Sequence, residues 1–522
     1  MPIKSPFPDF DIPPSPLGNY MLTQMKKYGD RIATVNLCDG SSATYSQLYA
    51  RSKSCASALR KQGLRKGDVI SILSLNTVNY PAIMIGAFLC GGTIAPCNPW
   101  YTKDEILQQY RIYNPKMVFV ADTAVDKIKE IKNDIPSIEK IFVIGQKMDD
   151  FVSLSEMIKN TDDDNFDDVD INTMEDISIL ASSSGTTGPP KCVMHTYRSL
   201  MTATFFRKLR GIDLEGKTYY HDRPIFHTVG YTFTLGLLHY GAKIIFDQTF
   251  DAVRMLKAVE TYKVDHSFIS PSAMLILAQT HSSHNYDISS LKTAVFGGAS
   301  VAPSVLCSVK EKYGIKVYAS YGLTECTPVA INYDLDNFIE SNGCLSPNTV
   351  IKIVDLQSGE EKQCKQSGEI LVKGPHMMKG YLNNPEATRN AITDDGFLRT
   401  GDIGYCDENG MLYVVGRIKE VIKYKGLQVP PVEIESVLLT HEKIADAGVI
   451  GLPDKECGEI PKAFIVKNDE SLTEDEVVKF VASKLTYYKH LRGGVEFIVA
   501  IPKSTFGKIQ RNELKKLAKL IP

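Results

Sequence analysis

The chain has 522 residues, more than one hydrophobic core usually serves, so at least two domains are expected. Hydrophobic residues make up 43% and charged residues 23%, and the formal net charge of −2 gives no footing for a nucleic-acid or acidic-membrane partner. Eleven cysteines without Cys-x-x-Cys or zinc-like spacing argue against a disulfide framework and a zinc site, and point to free thiols in a reducing compartment.

From the amino terminus, Met1 to Asn19 is rich in proline and aspartate and carries no signal-peptide hydrophobic region. A helical pattern runs from Tyr45 to about Leu64, and Val69 to Leu73 reads as a buried strand. Tyr80 to Leu89 reads as a helix stopped by Gly91-Gly92, with further strands at Met117 to Ala121 and Ile141 to Ile144. This alternation predicts a layered, parallel α/β sheet. Thr161 to Asp170 holds six aspartates and reads as a solvated connector.

Next comes Ser182-Ser183-Ser184-Gly185-Thr186-Thr187-Gly188-Pro189-Pro190-Lys191, directly after the apolar run Ile177 to Ala181. Glycines let backbone approach a ligand, and N–H groups beside hydroxyls suit phosphate oxygens. Lys191 adds a positive charge at the far end. The stretch reads as a loop that grips a polyphosphate. Gly211 to Thr218 also fits the Walker A pattern letter for letter. That mechanism needs a strand before the loop and a helix after it. Here Leu200 to Arg210 has helical character and Thr218-Tyr219-Tyr220 is strand-like, so the match is rejected.

Short strands are then predicted at Lys243 to Phe246, His266 to Ile269, Thr293 to Phe296 and Lys316 to Tyr318. Open α/β sheets bind ligands beyond the carboxyl ends of their strands. Gly297-Gly298-Ala299 follows one such strand, and Tyr321-Gly322-Leu323-Thr324-Glu325 follows another. The second cluster offers a stacking ring, a hydroxyl donor and a carboxylate for magnesium. From Val350 to Tyr381 the texture changes to short alternating strands, Val350 to Ile353 and Glu369 to Val372, which predict an antiparallel, barrel-like subdomain. Met411 to Val415 adds a strand. Beyond Arg417 a smaller α+β unit is expected, with strands at Ala447 to Ile450, Ala463 to Val466 and Val495 to Val499, and a helix at Glu474 to Leu485. Residues 1–416 and 417–522 are thus expected as two domains. No apolar run reaches transmembrane length, and Ala518-Lys519-Leu520, a peroxisome-like tripeptide, is followed by Ile521-Pro522, so a cytoplasmic location is expected.

The chain resembles the adenylate-forming enzymes: acyl-CoA synthetases, 4-coumarate–CoA ligases and beetle luciferases. The match is collinear from about Tyr45 to Lys508. It rests on Ser183 to Lys191, Phe226-His227, Tyr321 to Glu325, Thr400-Gly401-Asp402, Gly416 to Glu420, Lys423 to Gly426 and Gly507-Lys508. The resemblance implies an acid that attacks the α-phosphate of Mg-ATP to give acyl-AMP and pyrophosphate, and a coenzyme A thiol that then displaces AMP. Ser183, Ser184, Gly185, Thr186, Thr187, Gly188 and Lys191 would hold the outer phosphates. Gly297, Gly298, Ala299, Ser320 and Gly322 would line the nucleotide site, with Tyr321 against adenine, Thr324 on the α-phosphate and Glu325 on magnesium. Asp402 would accept the ribose hydroxyls and Arg417 would bond ribose or phosphate.

By the same resemblance Lys508 bridges the acid and the α-phosphate during adenylation, and Lys423 serves the thioester step. Lys419 would be the hinge about which the small domain rotates. Lys425 and Gly426 would contact coenzyme A, Gln428 would contact AMP, and His227 would close over the acid.

Several positions depart from the pattern. Cys192 stands where glycine usually follows the loop lysine, Pro189 replaces a common leucine, and Val229 replaces a common aromatic. Gly416 stands where many relatives carry aspartate, which predicts a looser hinge. His227, Val229, Gly230, Tyr231, Phe296, Gly297 and Ala319 describe a mostly apolar acid pocket that suits medium-chain fatty acids and arylpropenoic acids alike. The alternatives are a luciferase-like oxygenase, an enzyme that loads a carrier protein, and a silent nucleotide-binding scaffold.

Overall fold

Two large sheets, both parallel at the centre, the eight-stranded one antiparallel at one edge and the nine-stranded one at both, sandwich a layer of helices. The computed structural model describes residues 2–146, 148, 150–159, 161, 169–183, 191–205, 214–280, 285–299, 301–425, 427–504 and 507–520. The eight-stranded sheet runs in the order Gly380–Tyr381, Lys191–Thr196, Ile177–Ser183, Thr93–Cys97, Val69–Leu73, Met117–Ala121, Lys140–Ile144, Val152–Ser153. The nine-stranded sheet runs Cys344–Leu345, Cys326–Asn332, Lys316–Leu323, Thr293–Gly297, His266–Ile269, Thr218–His221, Lys243–Phe246, Ile32–Asn36, Ser42–Thr44.

Between them lie the helices Tyr45–Lys61, Tyr80–Leu89 and Thr228–His239, whose buried side chains share one core with both sheets. Tyr80–Leu89 is buried along its whole length, as a helix that is apolar on every face requires. Tyr45–Lys61 starts at a capping box: Thr44 Oγ1 accepts from the Gln47 N–H at 3.1 Å and Gln47 Oε1 accepts from the Thr44 N–H at 2.9 Å. Helices Ala252–Tyr262, Pro271–Gln279 and Pro303–Tyr313 cover the outer face of the nine-stranded sheet. Lys103–Tyr113 and Val125–Ile131 cover that of the eight-stranded one. The layered α/β architecture read from the sequence is the one observed.

The antiparallel, barrel-like unit is a five-stranded sheet in the order Ile3–Lys4, Val350–Val354, Gly368–Lys373, Leu398–Cys406, Leu412–Arg417. The last sheet, Leu427–Val429, Ile422–Tyr424, Gly458–Lys467 and Ile444–Asp454, with Val495–Phe497 beside Gly458–Lys467, carries its own core. Only the turn Ile418 to Glu420 and Val421 separate Leu412–Arg417 from Ile422–Tyr424. No described helix is long and apolar enough to cross a membrane.

Two expectations need correcting. Lys316–Leu323 is longer than the three-residue strand expected, so Ser320, Tyr321 and Gly322 lie inside it. The antiparallel partner Cys326–Asn332 extends the ladder beyond the parallel part, pairing Tyr321 with Ala330 and Leu323 with Cys326. Likewise the predicted strand end at Ala181 moves to Ser183, because Lys191 and Cys192 pair with Ser183 and Ser182. Ser184 to Pro190 and Gly211 to Asp213 lie outside the described residues, as do Asp162 to Asp168.

Candidate active site

The antiparallel edges of the two large sheets meet at the turn Thr324-Glu325. From the eight-stranded sheet, His195 Nε2 bonds the Thr324 carbonyl at 2.8 Å and the Tyr381 hydroxyl donates to Glu325 Oε1 at 2.9 Å. The Met378 N–H donates to the Glu325 carbonyl at 2.7 Å. Burial pushes the His195 pKa down to about 4, so the ring is neutral and its Nε2 carries the proton that reaches the carbonyl. Lys191 opens the strand Lys191–Thr196, and its ammonium stands 4.7 Å from the centre of the Tyr381 ring. Ser183 Oγ donates to the Lys191 carbonyl at 3.2 Å, closing the base of the loop. The loop residues Ser184, Gly185, Thr186, Thr187 and Gly188 lie outside the described residues.

Beside this turn lies a cavity of about 270 Å³ bounded by three bodies. The nine-stranded sheet contributes Gly298, Ala299, Ser320, Tyr321 and Gly322. Gly297 ends its strand where a Cβ would stand 2.6 Å from the Ser320 carbonyl oxygen, so only glycine lets these two strand ends close together. The five-stranded sheet contributes Asp402 and Arg417, which face each other across adjacent strands. Arg417 Nε lies 3.1 Å from Asp402 Oδ1, and the Tyr321 hydroxyl donates to Asp402 Oδ2 at 2.7 Å. Asp402 is only 3% exposed, and burial raises its pKa while Arg417, Tyr321 and Lys508 pull it back. Each of its oxygens keeps a second lone pair, so a ribose hydroxyl can be accepted without breaking either contact.

The small domain supplies the third wall, including Lys508, Arg511, Lys503 and Glu435. The Gly507-Lys508 segment is seated on the start of helix Pro271–Gln279, with Gly507 packed against Pro271 and Ser272. Desolvation of its ammonium lowers the Lys508 pKa, as does the Arg417 charge, while Asp402, Glu325 and Glu420 oppose the shift; the residue as a whole is exposed. His227 precedes helix Thr228–His239, and burial together with the Lys508 and Arg223 charges drives its pKa down to about 3. The structure therefore brings Lys508, His227, Asp402, Arg417, Tyr321 and Glu325 into one electrostatic neighbourhood.

Lys419, Lys423 and Lys425 are not part of it. All three are exposed, and none lines the cavity. Lys419 sits in the connecting turn, Lys423 on strand Ile422–Tyr424, and Lys425 in a left-handed turn at φ 47°. Gln428 pairs with Lys423 across the next strand, and Gly426 lies outside the described residues. Gly416 has a packing reason: a Cβ there would lie 3.1 Å from Pro430 Cβ, so the missing side chain admits Pro430 between the domains.

Glu325 presents a hard carboxylate whose Oε2 receives no hydrogen bond from the described residues. Magnesium takes one or two carboxylates, waters and phosphate oxygens, so this donor suits it. The described residues hold no group of three or more metal-ligating side chains that would favour a protein-only cage.

Sequence reasoning missed His195, Tyr381, Glu435 and Arg511. Arg511 joins two carboxylates, Glu420 at 3.2 Å and Glu435 at 3.0 Å. A cation placed three residues after Lys508 was the one available hint.

Residues 22–382 match the family model described as AMP-binding enzyme, and residues 433–508 match its C-terminal domain. The chain belongs to the AMP-binding, adenylate-forming enzyme family. Within it, the chain is 35% identical to a probable 4-coumarate–CoA ligase 1 of Dictyostelium discoideum, over 98% of this chain and 97% of that protein. It is also 35% identical to 4-coumarate–CoA ligase 1 of Petroselinum crispum, over 98% and 96%. The fold is similar to that of ATP-bound MatB from Rhodopseudomonas palustris, with a TM-score of 0.88 and 25% identity over 96% of this chain and 99% of that one. An anthranilate–CoA ligase in complex with anthranoyl-AMP shares the fold at a TM-score of 0.89, 23% identity and 98% coverage of both chains. As a member of the AMP-binding CoA ligase family the protein is an enzyme.

Proposed function

We propose that this AMP-binding enzyme activates a carboxylic acid with Mg-ATP, releasing pyrophosphate, and then transfers the acyl group to the thiol of coenzyme A. The carrying observation is that Lys508 of the small domain and the Asp402–Arg417 pair of the five-stranded sheet line the same cavity. Adenylation joins two anions, so its barrier falls when fixed positive charge stands between them. Lys508 supplies that charge within electrostatic reach of His227, while Asp402 and Tyr321 would orient the nucleoside. A magnesium ion on Glu325 would neutralise phosphate oxygens. A carboxylate oxygen of the acid forms a bond to the α-phosphorus as the bond from that phosphorus to the pyrophosphate oxygen breaks, which leaves a mixed acyl-phosphate anhydride. In the second step a thiolate sulfur replaces AMP. The exposed Lys423 face supports a rotation about Lys419 between the two steps.

Relatives named as 4-coumarate–CoA ligases make 4-coumarate the first acid to try, ahead of medium-chain fatty acids and anthranilate. The test is acid-dependent ATP–pyrophosphate exchange across that panel, followed by AMP formation with and without coenzyme A. Exchange with no acid in the panel would remove the reading, as would acyl transfer only to oxygen or a carrier protein. No disulfide joins the eleven cysteines, which supports a reducing compartment such as the cytosol.

A further inference from the structure

We propose that Tyr381 is a positioning residue that sets the Glu325 carboxylate for its metal and ties it to Lys191 of the phosphate loop. The inference rests on the adenylation reading and adds to it a residue that no motif in the chain singles out. Tyr381 is 8% exposed and belongs to the two-residue strand Gly380–Tyr381, which pairs with Val193 and Met194 of the strand that begins at Lys191. Its backbone therefore moves with the phosphate-loop strand, whereas its hydroxyl reaches the other sheet and donates to Glu325 Oε1 at 2.9 Å. Its ring carries the Lys191 ammonium at 4.7 Å.

One side chain thus touches both charged groups that would meet the ATP phosphates from opposite signs. The contact is directional. With the phenol donating to Oε1, the carboxylate plane is fixed and Oε2 is the oxygen left toward the metal. A phenol carries its proton at neutral pH, so Tyr381 remains a donor to the carboxylate. A hydrogen bond to a metal-binding carboxylate fixes its orientation, and losing such a partner typically weakens metal binding about 10- to 100-fold. The backbone of the turn is held independently by His195 and Met378, so the phenol's share is confined to the side chain of Glu325.

Tyr381→Phe removes the hydroxyl but keeps the ring, its packing and the Lys191 contact. Two readouts are compared with wild type: Mn2+ binding to the protein with a non-hydrolysable ATP analogue, followed by electron paramagnetic resonance, and the Mg2+ concentration that half-activates pyrophosphate exchange. Both are expected to shift about 10-fold toward weaker metal, with the KM for the acid unchanged. In a cycle with Glu325→Gln, the two substitutions should not add in Mn2+ binding. Tyr381→Leu should add a rise of about threefold in the KM for ATP, through loss of the ring under Lys191. Unaltered Mn2+ binding in Tyr381→Phe, or additive losses in the cycle, would overturn the proposal. A wild-type protein with no acid-dependent exchange would instead overturn the adenylation reading, and Mn2+ binding would still report on the phenol.

Discussion

Lys508→Met deletes one positive charge from a cavity lined by several charged side chains and keeps most of the stem's packing. The lysine ammonium feels the charges of Arg417, Asp402, Glu325 and Glu420, while the residue as a whole is exposed and water screens each of these interactions in part. Loss of one preorganised donor to a developing charge costs about 2.7–4 kcal/mol, or roughly 10²–10³ in rate. Single-turnover acyl-adenylate formation should therefore slow by about that factor, with the KM for ATP changed far less. The assay is pyrophosphate release under single-turnover conditions at saturating acid. The pH profile supplies a second check. Because desolvation of the ammonium and the Arg417 charge lower the Lys508 pKa, its charge is lost as pH rises at a point below the range of a free lysine. Wild-type adenylation should therefore decline on an alkaline limb that Lys508→Met lacks. A rate within threefold of wild type, or an alkaline limb that survives the substitution, would refute the reasoning.

Lys423→Ala should leave pyrophosphate exchange near wild type and slow thioester formation, since Lys423 is exposed and outside the cavity; equal loss of both steps would count against it. Lys419→Pro should do the same by stiffening the connecting turn, read from AMP release with coenzyme A present. Arg511→Met strands Glu435, which is 6% exposed, and should destabilise the small domain by about 3 kcal/mol in urea unfolding, a loss that adding Glu435→Leu should partly restore. His195 and His376 are both buried, and their pKa values are lowered to about 4. An unfolded histidine titrates near about 6.5, so the unfolded chain binds more protons between the two values. Their contribution, on the order of 3 kcal/mol each, is full above the unfolded value and is lost as pH falls toward the folded one. The urea midpoint should fall steeply from pH 7 to 5; a flat profile would contradict it.

Local pattern made the parallel strands and central helices legible. Val69–Leu73 and Tyr80–Leu89 are uninterrupted apolar runs of strand and helix length, and the structure reproduces their limits. Asp402 and Arg417 could be named from motifs, but their pairing across two strands could not be read from a gap of many residues. The antiparallel edges were harder still. Ser182-Ser183 and Tyr321 to Leu323 look like loop composition, and only a neighbouring strand turns them into ladder. His195 and Tyr381 carry no local signal at all. Their contacts with Thr324 and Glu325 exist because two sheets that never hydrogen-bond as a ladder happen to abut there.

That abutment has a cost and a use. The carboxylate offered to a divalent ion belongs to one slab of the molecule, while the groups that aim it belong to the other. Any slippage between the slabs, even one begun among the packed helices far from the nucleotide, shifts ion and phosphates relative to each other. Demand for magnesium would then serve as a strain gauge for the whole large domain, registering damage to its interior before affinity for the acid changes.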